Sequence, residues 1–134
     1  MQKEVFLQYY SAVFAPNGDI MPCGRMHCME LIHACKKFGS SIKYYGNDST
    51  GHLDIPAIKS LVAEQMPEII FKEHYLKVFD TSGNLINSSE DAISSLLVSC
   101  NIVKPGFSTD APKASSFDEA SVKVLFKELF PNEA

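Results

Sequence analysis

Three cysteines and two histidines crowd one short stretch, and these residue types bind zinc or form a nucleophile and its base. They are Cys23, His27, Cys28, His33 and Cys35. Structural zinc sites pair ligands two to four residues apart on a turn with a second pair elsewhere. On a helix, Cys28 and Cys35 share one apolar stripe, whereas the histidines point away from it. Cys28 and His33 are not placed to act together, so the pattern favours reduced, buried thiols and predicts that the chain is not an enzyme.

The composition is that of a globular protein without a strongly charged surface. Its 134 residues, 46% of them hydrophobic, suffice for one domain or two small lobes. Twelve basic and sixteen acidic residues leave a net charge of -4, and the basic residues are scattered, which argues against nucleic acid as a partner. No leader opens the sequence, and no apolar run approaches the roughly 18 residues that cross a bilayer. We expect a soluble, cytoplasmic protein without membrane insertion.

An internal repeat organises the sequence. Residues 6–35 fall on residues 71–100 at an offset of 65, and residues 53–67 fall on residues 117–131 at an offset of 64. The first block contains the identical pairs Phe6/Phe71, Tyr10/Tyr75, Val13/Val78, Phe14/Phe79, Gly18/Gly83, Leu31/Leu96 and Cys35/Cys100. The second contains Asp54/Asp118, Lys59/Lys123, Leu61/Leu125, Glu64/Glu128 and Pro67/Pro131. The shared order and spacing indicate a duplication, which predicts two lobes, residues 1–67 and 68–134.

Apolar spacing predicts helices in each half, separated by polar turns. The apolar residues of segments 6–14 and 71–79 recur at helical spacing. Each segment is followed by residues that favour tight turns, at 16–19 and at 80–84. A second helix then begins in each half. The first helix–loop–helix pattern of each lobe is thus predicted.

A further helix is predicted in each half, after a second polar loop. It spans about residues 55–65 in the first half and 117–130 in the second, where Ser116 and Glu119 form a capping box. Four loop–helix units result, and they indicate an all-α fold.

An alternative remains open, because the aromatic and β-branched residues also fit strands. In that reading the chain is an unrelated α/β protein-binding domain with strands at residues 5–14, 42–45 and 74–79. Circular dichroism separates the two, since the alternative requires substantial sheet.

Helix, loop and helix, repeated four times in two lobes, resembles the layout of the calmodulin superfamily. Residues 75–84 resemble the start of that family's third loop, and residues 51–58 resemble the end of its second. Within the superfamily, the chain looks most like a myosin essential light chain, whose loops have commonly lost calcium ligands. The resemblance implies a two-lobed EF-hand fold with four degenerate helix–loop–helix units.

The loops depart from the calcium-binding pattern, which needs oxygen ligands at positions 1, 3 and 5 and a bidentate Glu at position 12. The first loop ends at Arg25, a cation where a carboxylate belongs. The second, residues 46–57, lacks the terminal Glu, and the fourth, residues 110–121, carries Pro and Ala at ligand positions. The third retains the candidate ligands Asp80, Ser82, Asn84 and Glu90 but is one residue short. We expect lobes without metal and without a cofactor, with a calcium sensor that uses the third loop as the alternative.

The resemblance also implies a partner, the IQ-motif helix of a myosin heavy-chain neck, which the bound chain would stiffen into a lever arm. The expected location is the cytoplasm, in association with the cytoskeleton. A basic amphipathic helix would lie in an apolar groove between paired helices and complement the acidic chain. The candidate groove residues are Met26, Met29, Ile32, Leu61, Val62 and Met66 in the first lobe, and Leu96, Leu97, Leu125, Phe126 and Phe130 in the second.

Overall fold

A computed structural model describes residues 2–39, 42–107 and 117–131 of the chain. In these ranges there are six helices, and the mostly helical architecture is confirmed. They are α1 (Lys3–Ser11), α2 (Arg25–Phe38), α3 (Ile55–Gln65), α4 (Pro67–Val78), α5 (Glu90–Val103) and α6 (Glu119–Leu129). Two short strands, β1 (Gly46–Asn47) and β2 (His52–Leu53), pair in an antiparallel hairpin.

The α/β alternative is wrong within the described residues. Helices α1 and α4 occupy most of the segments 5–14 and 74–79, and residues 42–45 lie before β1 and outside any strand. The physical reason is the spacing of four between the aromatic residues, which buries one helical face in each segment. A strand would also place Gln8 on the same face as Phe6 and Tyr10, but Gln8 is exposed while both aromatic residues are buried.

The chain divides into two compact units, Met1–Gln65 and Met66–Ala134, two residues before the boundary that the repeat predicts. Pro67 is the first residue of α4, a position where a missing backbone N–H costs nothing and the fixed φ favours a helix. Met66 is therefore the N-cap of α4 and belongs to the second unit, whereas the sequence pattern places it in the first.

The first unit packs α1 against α2 around an aromatic core. The rings of Phe6 and Phe38 stack with centroids 4.6 Å apart, and Tyr10 stacks on Phe14 at 4.8 Å. The β1–β2 hairpin lies against α2, where Gly46 has a φ of +140° and a Cβ added to it would lie 2.4 Å from the carbonyl oxygen of His52. Only glycine fits this close approach without strain.

The second unit packs α4 against α5, with α6 contributing an aromatic cluster. The rings of Tyr75 and Phe126 are nearly parallel, 4.0 Å apart, and Phe126 also contacts Phe71 and Phe130. Two helices of this unit carry side-chain caps: Ser89 accepts a hydrogen bond at the start of α5 and Asp118 at the start of α6. The N-cap of α6 is thus Asp118. Residues 110–116 of the predicted fourth loop lie outside the described residues, and so does the predicted capping-box contact of Ser116.

Candidate functional site

The first loop of each unit closes in the same way. An isolated β-bridge joins Phe14 to Ile20 in the first unit and Phe79 to Leu85 in the second, again 65 residues apart. The backbone N–H of Phe14 donates to the carbonyl of Tyr10 at 2.9 Å, and the equivalent bond in the second unit measures 2.8 Å. Equivalent bonds at equivalent positions are the geometric counterpart of the sequence repeat.

A glycine turns the chain in each of these loops. Gly18 has a φ of +86° and Gly83 a φ of +87°, the left-handed region that side chains with a Cβ disfavour. The Gly18 N–H donates to the Ala15 carbonyl at 2.8 Å, and the Gly83 N–H donates to the Asp80 carbonyl at 3.0 Å. The turn chemistry predicted from the sequence is confirmed at both places.

A lysine from the last helix of the first unit reaches the first loop. The Lys59 Nζ donates to the Tyr10 Oη at 2.6 Å and to the Gly18 carbonyl at 3.0 Å. It also lies 4.1 Å from the centroid of the Phe14 ring, within the range of a cation–π interaction. An ammonium group thus ties the first loop to α3 through a backbone carbonyl, a hydroxyl and a ring.

The repeat places Lys123 at the equivalent position of the second unit. Its Nζ lies 5.2 Å from the centroid of Phe79 and 4.0 Å from where a Cβ on Gly83 would be. The same ammonium pairs with Glu119 at 3.0 Å, one turn earlier on α6. Both units therefore bring a lysine of their last helix to their first loop, and the second lysine also has a carboxylate partner.

The candidate calcium ligand Asp80 accepts hydrogen bonds from its own loop. One carboxylate oxygen accepts the N–H groups of Asn84 at 2.8 Å and Ser82 at 2.9 Å, and the Asn84 side-chain amide lies 3.4 Å from the other. Glu90 is the first residue of α5. The part of the chain described by the structure contains no group of three or more His, Cys, Asp or Glu side chains that could hold a metal ion. Calcium binding by the third loop stays a prediction.

These hydrogen bonds predict how Asp80 titrates. The Asn84 backbone N–H is the main cause that lowers the pKa of Asp80 from its ordinary 3.8. A group whose pKa is lower in the folded state stabilises that state above the unfolded pKa, and this contribution is lost as pH falls through the folded pKa. A ¹³C NMR titration of the Asp80 carboxyl should give a midpoint below 3.8, and a midpoint at or above that value in the folded chain would contradict the geometry.

Most of the predicted groove residues lie inside the closed units. Eight of the eleven have relative exposures of 5% or less, namely Ile32, Leu61, Val62, Met66, Leu96, Leu97, Leu125 and Phe126. Met29 and Phe130 are half-buried, and Met26 is 64% exposed. A partner's side chains could contact the eight buried residues only if the surrounding structure opened, because their apolar surface is already covered in this chain.

An open cleft in the second unit offers an apolar surface without such opening. It has a volume of about 480 Å³ and lies between the end of α5 and α6. Its lining comprises Lys104, Gly106, Phe107, Ala120, Ser121, Val124 and Leu125, of which only Leu125 is a predicted groove residue. The sequence pattern did not single out the other six lining residues. The one available clue is Val124, an aliphatic residue that lies outside the buried stripe of α6 and is 56% exposed.

The thiols divide into two kinds. Cys35 and Cys100 are fully buried, and burial raises the pKa of each to about 12. Cys28, expected in the core, is instead half-buried, with its sulfur 3.7 Å from that of Cys23. His33 lies 3.7 Å from Asp48, and α2 turns its exposed imidazole away from the core. The part of the chain that the structure describes therefore brings no group of three or more candidate zinc ligands together.

Comparisons with protein-family models, curated proteins and solved structures found no match to this chain. Within the described ranges, no helix has both the length and the apolar character needed to cross a membrane.

Proposed function

We propose that this chain is a calmodulin-like protein built from degenerate EF-hand units. The observation that carries the proposal is the shared geometry of the two units. Their first loops close with the same bridge and the same glycine turn 65 residues apart, and a lysine from the last helix reaches each loop at an offset of 64. Each unit contains one helix–loop–helix pattern and one further helix, three described helices where two complete helix–loop–helix pairs need four. The likeness to that superfamily's layout therefore rests on the first pattern of each unit.

Within this class, we propose a myosin light chain that works largely without calcium. In a calcium-binding loop the cation organises the backbone by gathering oxygen ligands. Here protein groups already hold the first loops. Lys59 holds the first loop of the first unit. Backbone amides that donate to the Asp80 carboxylate hold the first loop of the second unit, which is the third loop of the chain. A loop held in this way needs no metal to keep its shape.

Charge and shape favour a basic amphipathic helix as the partner. Residues 66–134 carry six basic and ten acidic side chains, whereas residues 1–65 carry six of each. The whole net charge of -4 therefore belongs to the second unit, which also contains the apolar cleft. The negative net charge of this unit attracts a basic helix, and the cleft can receive the helix's apolar residues. The IQ-motif helix of a myosin heavy-chain neck has this character.

Binding of this kind stiffens the partner. An isolated helix in water is marginally stable, and burying its apolar face in a light chain removes the alternative unfolded states. The proposed role is therefore structural support of a lever arm, associated with the cytoskeleton and without catalysis.

The test is calorimetric titration of the full chain with a synthetic basic amphipathic peptide that contains an IQ motif, in excess chelator. Binding is expected under these conditions and should weaken as salt screens the charges. Val124→Lys should weaken binding about tenfold or more, because the cleft loses an apolar contact worth roughly 1.4 kcal/mol. Val5→Lys, which makes the same charge change at an exposed site on α1, should weaken it less than about threefold.

The other outcomes are equally informative. Binding only when calcium is added would contradict calcium independence and favour the sensor alternative, in which the third loop binds the ion. Equal weakening of peptide binding by Val124→Lys and Val5→Lys would show that the cleft is not part of the interface. No binding to the IQ peptide beyond that to a scrambled peptide would overturn the proposed partner.

A further inference from the structure

Two thiols meet where the chain enters α2. The sulfur atoms of Cys23 and Cys28 are 3.7 Å apart, and both residues are half-buried. Gly24 is the N-cap of α2, so Cys23 directly precedes the cap and Cys28 is the fourth helical residue. These are the two positions whose side chains pack together in a hydrophobic staple and set the angle at which the chain enters a helix. The local fold therefore holds the sulfurs together.

The start of α2 has little else to hold it. Gly24 provides no side-chain cap, and the first turn of α2 carries no acidic residue. In the second unit the equivalent N-cap is Ser89, which accepts a hydrogen bond from the Ala92 N–H at 3.3 Å. The cysteine pair has no thiol counterpart there, since Ser88 and Ile93 occupy the equivalent positions. The thiol contact is thus a feature of the first unit alone.

We propose that Cys23 and Cys28 form an oxidation site that a hydroperoxide converts into an intramolecular disulfide. In the first step one sulfur attacks a peroxide oxygen, the O–O bond breaks, and a sulfenic acid forms as water or an alcohol leaves. In the second step the other sulfur attacks the sulfenic sulfur, the S–O bond breaks, and the S–S bond forms. The departing hydroxide takes the remaining thiol proton as water. Two thiols are oxidised and one peroxide is reduced.

The geometry favours this pair over the other two cysteines. The sulfurs need to approach from 3.7 Å to roughly 2.05 Å, a movement within reach of side-chain rotation and a small backbone shift. Burial, and then the contact with Cys23, raises the pKa of Cys28 and so lowers its thiolate fraction, and the closeness of the two sulfurs compensates for this in the second step. Cys35 and Cys100 are completely buried, so they have neither access to peroxide nor a thiol partner among the described contacts.

The test is mass spectrometry of the full chain after treatment with hydrogen peroxide. Remaining thiols are alkylated in denaturant, and the chain is cut with trypsin. Trypsin cleaves after Arg25, between the two cysteines, so their peptides stay joined only through a disulfide. Cys35 lies on the same tryptic peptide as Cys28 and will be alkylated. We expect a joined species about 2 Da lighter than the sum of the two peptides with Cys23 and Cys28 as thiols and Cys35 alkylated, with fragmentation assigning the bond to Cys23 and Cys28. It should form at least about tenfold faster than any oxidation of Cys35 or Cys100.

The matched control is Cys28→Ser, which keeps the size of the side chain but removes the resolving thiol. It should accumulate a sulfenic acid on Cys23 that dimedone traps, and it should give no joined peptide. A chain that keeps Cys23 and Cys28 as separate thiols or separate sulfenic acids would overturn the proposal. So would disulfides formed mainly between two chains, or oxidation of all four cysteines at the same rate.

Discussion

Replacing Phe126 with alanine should lower the free energy of unfolding of the second unit by about 3–5 kcal/mol, the usual cost of removing a buried aromatic side chain. The ring stacks on Tyr75 with centroids 4.0 Å apart and is 5% exposed. It also contacts Phe71 and Phe130, so its removal breaks the aromatic cluster that attaches α6 to α4. The cavity left behind adds to the lost burial because the neighbouring rings can only partly collapse into it.

The measurement is denaturant unfolding followed by circular dichroism, with hydrogen exchange to locate the effect. Amides of α4 and α6 should lose protection. Val124→Ala is the matched control, since Val124 is on the same helix but 56% exposed, and it should cost about 1 kcal/mol or less. A similar cost for the two variants would mean that α6 does not use this face to pack.

Replacing Lys59 with methionine should destabilise the first unit by about 1–3 kcal/mol, because it removes a charged donor from two acceptors. Methionine keeps the length and apolar stem of the side chain but cannot donate to the Tyr10 hydroxyl or the Gly18 carbonyl. The cation–π contact with Phe14 is lost as well. Denaturant unfolding gives the size of the effect, and hydrogen exchange in residues 13–21 shows whether the loop loosens.

Lys123→Met is the internal comparison that the repeat provides. Lys123 pairs with Glu119 near the surface and lies 5.2 Å from the Phe79 centroid, and such contacts contribute about 1 kcal/mol or less. If both variants cost the same, the partly buried hydrogen bonds of Lys59 are not what stabilises the first loop. If Lys59→Met costs more, a protein ammonium holds the first loop, where the proposed superfamily layout would place a metal ion.

The Phe126→Ala variant also bears on the proposed function. A unit whose core closes on itself must either open to bind a helix or offer a separate surface. Phe126→Ala weakens the closed core directly, so it should make opening easier in the second unit. Binding at the cleft, which Val124 and Leu125 line, requires no such opening. Tighter peptide binding by Phe126→Ala would therefore indicate binding in the opened core, and unchanged binding would indicate the cleft.

Much of the local structure could be predicted from the sequence. The spacing of Phe6 and Tyr10, and of Phe71 and Tyr75, predicted helices that the structure contains. Gly18 and Gly83 predicted turns with left-handed backbone, and both have a positive φ. These features depend on neighbours close in the chain, so helical periodicity and backbone sterics are enough to specify them.

The sequence by itself determined that the chain is mostly helical, that it repeats, and which faces of its helices are apolar. Only the tertiary structure decided what those faces contact. An apolar stripe requires burial but does not specify whether its own unit or a partner provides it, so Leu96 and Leu97 were predicted in a groove and lie in a core. Likewise, the Lys59 contacts and the cleft at Phe107 depend on residues that are distant in sequence and brought together by packing.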